Sequence, residues 1–431
     1  MGGPRLLMAP GRPAAPRRPN VLIVGDFSFP YGSGASSRVH AYAKGLLANG
    51  ARVTVLCVEA GKSRGGLNTA AKGTYDGIDF EYTYGRTSRP TRRWHRWWLR
   101  ATKWGRSWRA VEVSAAREGG LDAVIVYSRS LPWMALCALA CRRHGALFIH
   151  EDCELPYARR GSDPRTLVSR WLYEHVAFRW FDGCLAISTC LEGYCRRYMR
   201  PGGRVLQVPI LIDVAAFQAA AGSPPVGDAI VYCGYSTHPE VFALVEAFAA
   251  IAADSPKLRL KVIGESLQPQ VLPRLQAYAL RLGVADRLEL AGQVKRDELP
   301  PILAAARLLA LPRPDAAFSR AGLPTKLGEY LATGRPVVVN AVGDIPRYLN
   351  DGVDAYLVQP GEVSDFAERL RHVVSHEAEA RQVGAAGRET ARARFDPARH
   401  GRRIMEFIAE LRAARPYPTA HAAADAPAGK P

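Results

Sequence analysis

The stretch Ala321-Gly322-Leu323-Pro324-Thr325-Lys326-Leu327-Gly328-Glu329-Tyr330-Leu331-Ala332-Thr333-Gly334-Arg335-Pro336-Val337-Val338-Val339 reads as a short helix held between two marks of punctuation, followed by a strand. Pro324 presets the backbone for a helix start, Gly334 supplies the left-handed residue that stops one, and Pro336 opens a β-branched run. Lys326 and Glu329 stand three residues apart, so they share one helix face near its amino end. An ammonium and free backbone amides there suit a diphosphate, while a carboxylate one turn further on can accept from both ribose hydroxyls. The bland alternative is a surface ion pair.

Outward from this stretch, short apolar runs alternate with longer segments of helical periodicity, the pattern of βαβ units around a parallel sheet. The first half offers seven such runs: Val21 to Val24, Val53 to Leu56, Phe80 to Tyr84, Ala123 to Val126, Leu147 to Ile149, Cys184 to Ile187 and Val205 to Val208. After the punctuation Gly222-Ser223-Pro224-Pro225 the series starts afresh at Ile230, Leu260, Leu288, Leu308, Val337 and Ala355. Helices are expected over Phe366 to Ser375, Glu377 to Phe395 and Ala398 to Ala413. The fold class is therefore α/β, with two Rossmann-like doubly wound domains facing across a cleft. The expected division is a disordered leader over 1–19, an amino-terminal acceptor domain over 20–212 and a linker over 213–227. A carboxy-terminal donor domain over 228–395 follows, then a last helix over 396–414 able to pack back on the first domain, and a disordered tail over 415–431. Ligands bind open α/β sheets at the carboxyl ends of their strands, so the cleft is the expected active site.

Composition narrows the class. Across 431 residues, 48% hydrophobic and 23% charged is ordinary globular usage. No apolar run approaches the ~20 residues a membrane span needs. Leu6-Leu7-Met8 is too short for a signal-peptide core, so the chain is expected to stay in the cytoplasm. The eight cysteines have neither Cys-x-x-Cys spacing nor a zinc-site His, and they are expected to be reduced core residues. The formal charge of +18 asks for an acidic partner surface.

Two further constellations lie at strand ends. Gly25-Asp26 leads into a loop containing Gly32, Ser33 and Gly34, where small residues let amides approach an anion at a helix start. A mere tight turn would look the same. His150-Glu151-Asp152 follows the fifth run and puts an imidazole and two carboxylates where they can orient or deprotonate an acceptor hydroxyl, or simply cap the next segment.

Together, Gly322 to Val339, Val342-Gly343-Asp344-Ile345 and Asp351 to Gly361 resemble the donor half of retaining glycosyltransferases of family 4, which have the GT-B fold. The opening strand and glycine loop, Ala186-Ile187-Ser188 and Val208 to Phe217 are similar to its first half. The resemblance implies that Glu329 binds the nucleotide ribose. It implies that Lys326, with Arg320, covers the diphosphate, with Gly234, Gly322, Pro324 and Thr325 in the donor pocket and Gly32 to Gly34 lining it from the other domain. Two departures stand out. Ala321 occupies the position of the family's first Glu, which meets the donor sugar, and Gly234-Tyr235-Ser236-Thr237-His238-Pro239-Glu240 lacks the Gly-Arg and Lys-Gly cations found there. Pro324-Thr325-Lys326 with Glu329-Tyr330 resembles a subset that reads Pro-Ser/Thr-Lys-x-x-Glu-Tyr. No Asp-x-Asp motif is present, and the family fold needs no metal or other cofactor.

Arg86, Arg89, Arg92, Arg93, Arg96, Arg100, Lys103, Arg106 and Arg109 fall in one stretch without an acid and supply half of the excess charge. Trp94, Trp97, Trp98, Trp104 and Trp108 cover an arc of roughly 120° on that helix, opposite most of the cations. This is the make-up of an interfacial helix, with Arg92, Arg93, Arg96, Trp97, Trp98, Arg100 and Lys103 on an anionic membrane surface. The alternative is a tryptophan face packed on its own domain. No nucleic-acid motif accompanies the segment, so nucleic acid is not an expected partner.

The function expected from the sequence is retaining transfer of a sugar from a nucleotide diphosphate sugar, a UDP-sugar first, to a hydroxyl of a lipid-linked or envelope glycan. The enzyme would work peripherally on the inner face of the cytoplasmic membrane. Two rivals share the residues: a nucleotide-sugar epimerase on the same plan, and a catalytically silent protein that binds nucleotide or glycan.

Overall fold

The computed structural model describes residues 17–415, apart from Ser33, Arg89, Thr91 and the segments 59–67, 117–118, 157–162, 235–238 and 265–269; the side chains of Arg96 and Arg100 also lie outside the description. Ser33, those two arginine side chains, residues 1–16 of the expected leader and 416–431 of the expected tail therefore lie outside the described residues.

Eight strands form the first sheet: β1 (Asn20–Gly25), β2 (Arg52–Cys57), β3 (Lys72–Tyr75), β4 (Ile78–Tyr82), β5 (Ala123–Tyr127), β6 (Leu147–Asp152), β7 (Gly183–Ala186) and β8 (Arg204–Gln207). Their order is β3-β4-β2-β1-β5-β6-β7-β8. Six strands form the second: β9 (Ala229–Cys233), β10 (Arg259–Ile263), β11 (Leu288–Gly292), β12 (Leu308–Leu311), β13 (Val337–Asn340) and β14 (Tyr356–Val358), in the order β11-β10-β9-β12-β13-β14. Relative to the first strand of the domain this is 3-2-1-4-5-6, the dinucleotide-fold order, whose ligand crevice opens between β9 and β12.

The helices of the first domain are α1 (Gly34–Ala48), α2 (Arg93–Ala115), α3 (Leu131–Arg143), α4 (Pro164–His175) and α5 (Thr189–Tyr198). Then come α6 (Val214–Ala221), α7 (Pro239–Ala252), α8 (Val271–Arg281), α9 (Leu299–Ala304), α10 (Ala317–Ala321), α11 (Thr325–Ala332) and α12 (Ile345–Tyr348). Three longer helices, α13 (Val363–Ser375), α14 (Glu377–Arg394) and α15 (Pro397–Ala413), close the chain.

Alternation along buried strands builds two apolar layers in the first domain. Val21, Ile23, Val55 and Ile125 face α1 and α15, whereas Leu22, Val24, Val124 and Phe148 face α2 and α3. Two sequence expectations change here. The run Phe80 to Tyr84 is the second strand of a hairpin, because Asp76 and Gly77 adopt φ of 49° and 76° and turn β3 onto β4 in antiparallel register. The span 213–227 holds a helix, α6, whose start is capped by Asp213 through the Ala216 amide.

After α14 the chain returns to the first domain. Asp396 caps α15, which then crosses α1 so closely that a Cβ on Gly45 or Gly401 would strike the facing backbone. The two domains also meet at Asp344, buried between them, which accepts from the Thr189 amide at 2.8 Å, the Thr189 hydroxyl and Gln207 Nε2 at 2.7 Å. Ser188 donates to the Ala321 carbonyl nearby. No described helix is long and apolar enough to cross a membrane.

Candidate active site

At the β9–β12 crevice, α11 buries Leu327, Tyr330 and Leu331 and leaves Lys326 and Glu329 on its cleft side. The Tyr330 hydroxyl accepts from the Cys233 amide at 2.6 Å, which fixes the helix to the end of β9. Gly328 brings α11 against the end of the first domain, where a Cβ would stand 3.4 Å from Ile210 and Ile212. Lys326 Nζ lies 2.9 Å from Glu329 Oε2. Burial works against the ammonium, but Glu329 outweighs it and pushes the Lys326 pKa up to about 12. The two groups pair at the cleft, an arrangement a diphosphate and a ribose diol can open.

The other domain approaches the same point. A Cβ on Gly34 would lie 3.6 Å from Thr325 Oγ1, so the start of α1 faces the start of α11. Gly32 packs on Ser36, whose hydroxyl donates to the Ser28 carbonyl at 2.6 Å. Arg296, from the loop after β11, spans the cleft and donates to the Ser37 hydroxyl. Pro324 takes the N-cap position of α11, Gly322 is extended just before it, and a Cβ on Gly234 would stand 2.5 Å from the Tyr232 hydroxyl. Arg320 pairs within its own segment. Its guanidinium closes on Asp315 through two bonds of 2.5 and 2.7 Å, beside a crevice of about 580 Å³ that Thr189 walls from one domain and Gly343 and Gln359 from the other.

The ends of β6 hold a second group of charges, differently used. His150 is buried, with Nε2 2.7 Å from the Tyr173 hydroxyl and its ring stacked on Phe181 at 4.7 Å. Burial pushes its pKa down to about 4. This corrects its reading as an acceptor base, because the imidazole is neutral and enclosed by core side chains. Glu151 points to the opposite sheet face and accepts from Arg38 Nε at 2.5 Å and from the Tyr42 hydroxyl at 3.3 Å. Arg38 spends its other nitrogens on the carbonyls of Pro209 and Val208. Asp152 accepts from Arg129 at 3.0 Å. Both acids are buried, and among the described residues one carboxylate oxygen of Glu151 and one of Asp152 has no hydrogen-bond partner.

The tryptophan helix divides along its length rather than around it. Trp94, Trp97 and Trp98 are 59%, 71% and 43% exposed, and Arg92 and Arg93 are exposed beside them. Trp104 stacks on Trp133 of α3 at 6.0 Å, and Trp108 is half-buried against the core. Lys103 is a further correction: its side chain is 12% exposed, 3.5 Å from Asp26 and folded over the Trp104 ring, so it braces the domain. The cause is position, since Trp104 lies level with the start of α3 while the first two turns of α2 project past it.

Among the described residues no cluster of three or more His, Cys, Asp or Glu is placed to hold a metal ion. Two cleft residues escaped the sequence reading, Arg296 and Arg313. The signal for both was a cation two to four residues past a parallel strand's carboxyl end.

Comparison with known proteins agrees with this geometry. Residues 33–210 match the family model for a glycosyl transferase 4-like domain, and residues 227–376 match that for glycosyl transferases group 1. A D-inositol 3-phosphate glycosyltransferase of Streptomyces griseus is 32% identical over 149 residues, 33% of this chain and 30% of that protein. The match thus spans less than a third of that relative. The sucrose-phosphate synthase of Thermosynechococcus elongatus superposes with a TM-score of 0.67 at 18% identity, over 92% of this chain and 100% of that one. Anabaena HepE in complex with UDP and glucose gives 0.65 at 16% identity, over 90% and 99%. The two matched domains lie end to end across one cleft, and the chain belongs to the glycosyltransferases of the GT-B fold.

Proposed function

We propose that this chain transfers a sugar, with retention at the anomeric carbon, from a nucleotide diphosphate sugar to a hydroxyl of a membrane-associated or envelope glycan acceptor. The observation that carries the proposal is the pairing of Lys326 and Glu329 at the β9–β12 crevice, directly opposite Gly34. An ammonium at a helix start neutralises a departing diphosphate, and preorganised charge of this kind is the largest electrostatic contribution when no metal assists. HepE binds UDP and glucose, which favours a uridine donor. Lys326-Leu327-Gly328-Glu329-Tyr330 supports membership of the Pro-Ser/Thr-Lys-x-x-Glu-Tyr subset. The exposed indoles and arginines opening α2 support a site on the inner, anionic face of the cytoplasmic membrane, where they would bring the cleft to a lipid-linked acceptor.

The test is a panel of UDP-, GDP-, ADP- and dTDP-sugars with polyprenyl-linked and soluble sugar acceptors, read by nucleotide release and by the anomeric configuration of the product. Retention with release only when acceptor is present is expected. An epimerised sugar from donor alone would identify an epimerase, no release with any pair would identify a silent binder, and an inverted product would remove retention.

A further inference from the structure

The first two strands of the donor sheet end without a cation. Gly234 to Glu240 and Gly264 to Gln270 contain no Lys or Arg, which leaves Lys326 on α11, with Arg296 reaching in from the loop after β11 but bonded across the cleft to Ser37. One ammonium leaves most of a diphosphate's charge unmatched.

Arg313 stands where a second cation is needed. It follows β12 by two residues, and its backbone amide donates to Oδ1 of the buried Asn340 at 2.8 Å, which fixes the turn. Its Nη2 lies 4.0 Å from the position a Cβ would take on Gly322. Tyr232 is near enough to feel its charge: the phenol is raised by burial, Glu240 and Cys233 and drawn back by Arg313. The Tyr232 hydroxyl in turn lies against Gly234. The guanidinium therefore lies beside the glycine that precedes α11, on the side of the crevice where Tyr232 packs over the glycine that follows β9.

Resting on a nucleotide-sugar donor as proposed above, we infer that Arg313 binds the distal phosphate of the donor diphosphate, making with Lys326 the cation pair that the loop after β9 lacks. The order along the chain sets the assignment. Glu329 is the ribose end, Lys326 stands one turn nearer the start of α11, and Gly322 with Arg313 lies beyond that start, furthest from the ribose. A planar guanidinium suits this place because its fork meets two phosphate oxygens at once, which an ammonium cannot do.

Isothermal titration of the parent, Arg313→Gln and Arg313→Lys against UDP, GDP, ADP and dTDP and the matching monophosphates tests it, with melting temperatures to verify folding. For whichever diphosphate the parent binds, Arg313→Gln is expected to weaken binding roughly ten- to hundredfold while the monophosphate loses less than about threefold, and Arg313→Lys falls between. Equal affinity of parent and Arg313→Gln for the diphosphate overturns the inference, as does an equal loss for diphosphate and monophosphate. If the parent binds none of the four diphosphates, the nucleotide-sugar proposal fails first and this one with it.

Discussion

Two places in this molecule bring acids and bases together at strand ends, and they use them oppositely. At the end of β6, His150, Glu151 and Asp152 are closed on Tyr173, Arg38 and Arg129 inside the domain. At the start of α11, Lys326 and Glu329 pair with each other at the cleft, with the Cys233 thiol beside the ammonium. The first arrangement holds a sheet and a helix in place. The second is free to exchange one partner for another. Chemistry at a strand end is thus decided by depth, and depth by what the next helix buries.

The sharpest break of this contrast is Arg38→Met. Removing one partner of a buried pair leaves Glu151 as an uncompensated charge, and about 3–5 kcal/mol of stability should be lost in urea unfolding. Arg38→Met with Glu151→Leu should regain most of it, while nucleotide binding per folded molecule stays at the parent's level. A small loss for the single variant would mean that the β6 cluster is not closed.

His150 gives the same claim a pH signature. Its folded pKa of about 4 lies below the ordinary histidine value near 6.5, so the unfolded chain takes up its proton first as pH falls. Stability contributed by the neutral imidazole is full above pH 6.5 and is lost progressively down to about 4, amounting to roughly 3 kcal/mol. His400, pushed down to about 4 by burial, acts in the same direction, so His150→Gln should remove part of that slope and not all of it. An unchanged slope in that window would contradict the burial of His150.

The packing of α15 offers a smaller effect. Gly401→Ala pushes a methyl into the α1 backbone at Gly45 and should cost about 1–3 kcal/mol, seen as a lower melting temperature. Unaltered melting would mean that the two helices do not touch so closely. Smallest is the change at the outer end of α2: Trp94→Ser with Trp97→Ser should move stability by no more than about 0.5 kcal/mol. The same variant should float less with anionic liposomes than the parent. Loss of folding with these exposed residues changed would place them in the core with Trp104.

Much of the architecture was legible because parallel strands buried on both faces are written as continuous apolar runs, as β9, β12 and β13 are, while β10 and β11 toward the sheet's edge carry Lys261 and Glu289 yet keep an apolar pattern. β3 was hidden because Lys72-Gly73-Thr74-Tyr75 is an edge strand with little apolar content, although Asp76-Gly77 marked its turn. In the site, the helix start at Lys326 and Glu329 was readable because proline and glycine bracket it. Arg313 was not, since its place depends on β12 lying beside β9, a neighbour 78 residues away whose pairing no local pattern encodes. For Arg320, proximity in sequence to α11 did not reveal the pairing of its guanidinium with Asp315. Lys103 looked solvent-facing on a helical wheel, and only the placement of Asp26 and Trp104 draws it in.

The most direct measurement is nucleotide diphosphate binding by the parent, Lys326→Ala and Glu329→Ala proteins, each shown to melt near the parent's temperature. Both substitutions should weaken binding by roughly tenfold or more, as loss of a charge-assisted bond to the ligand requires. Parent-like affinity in both variants would contradict the placement of the donor at the start of α11.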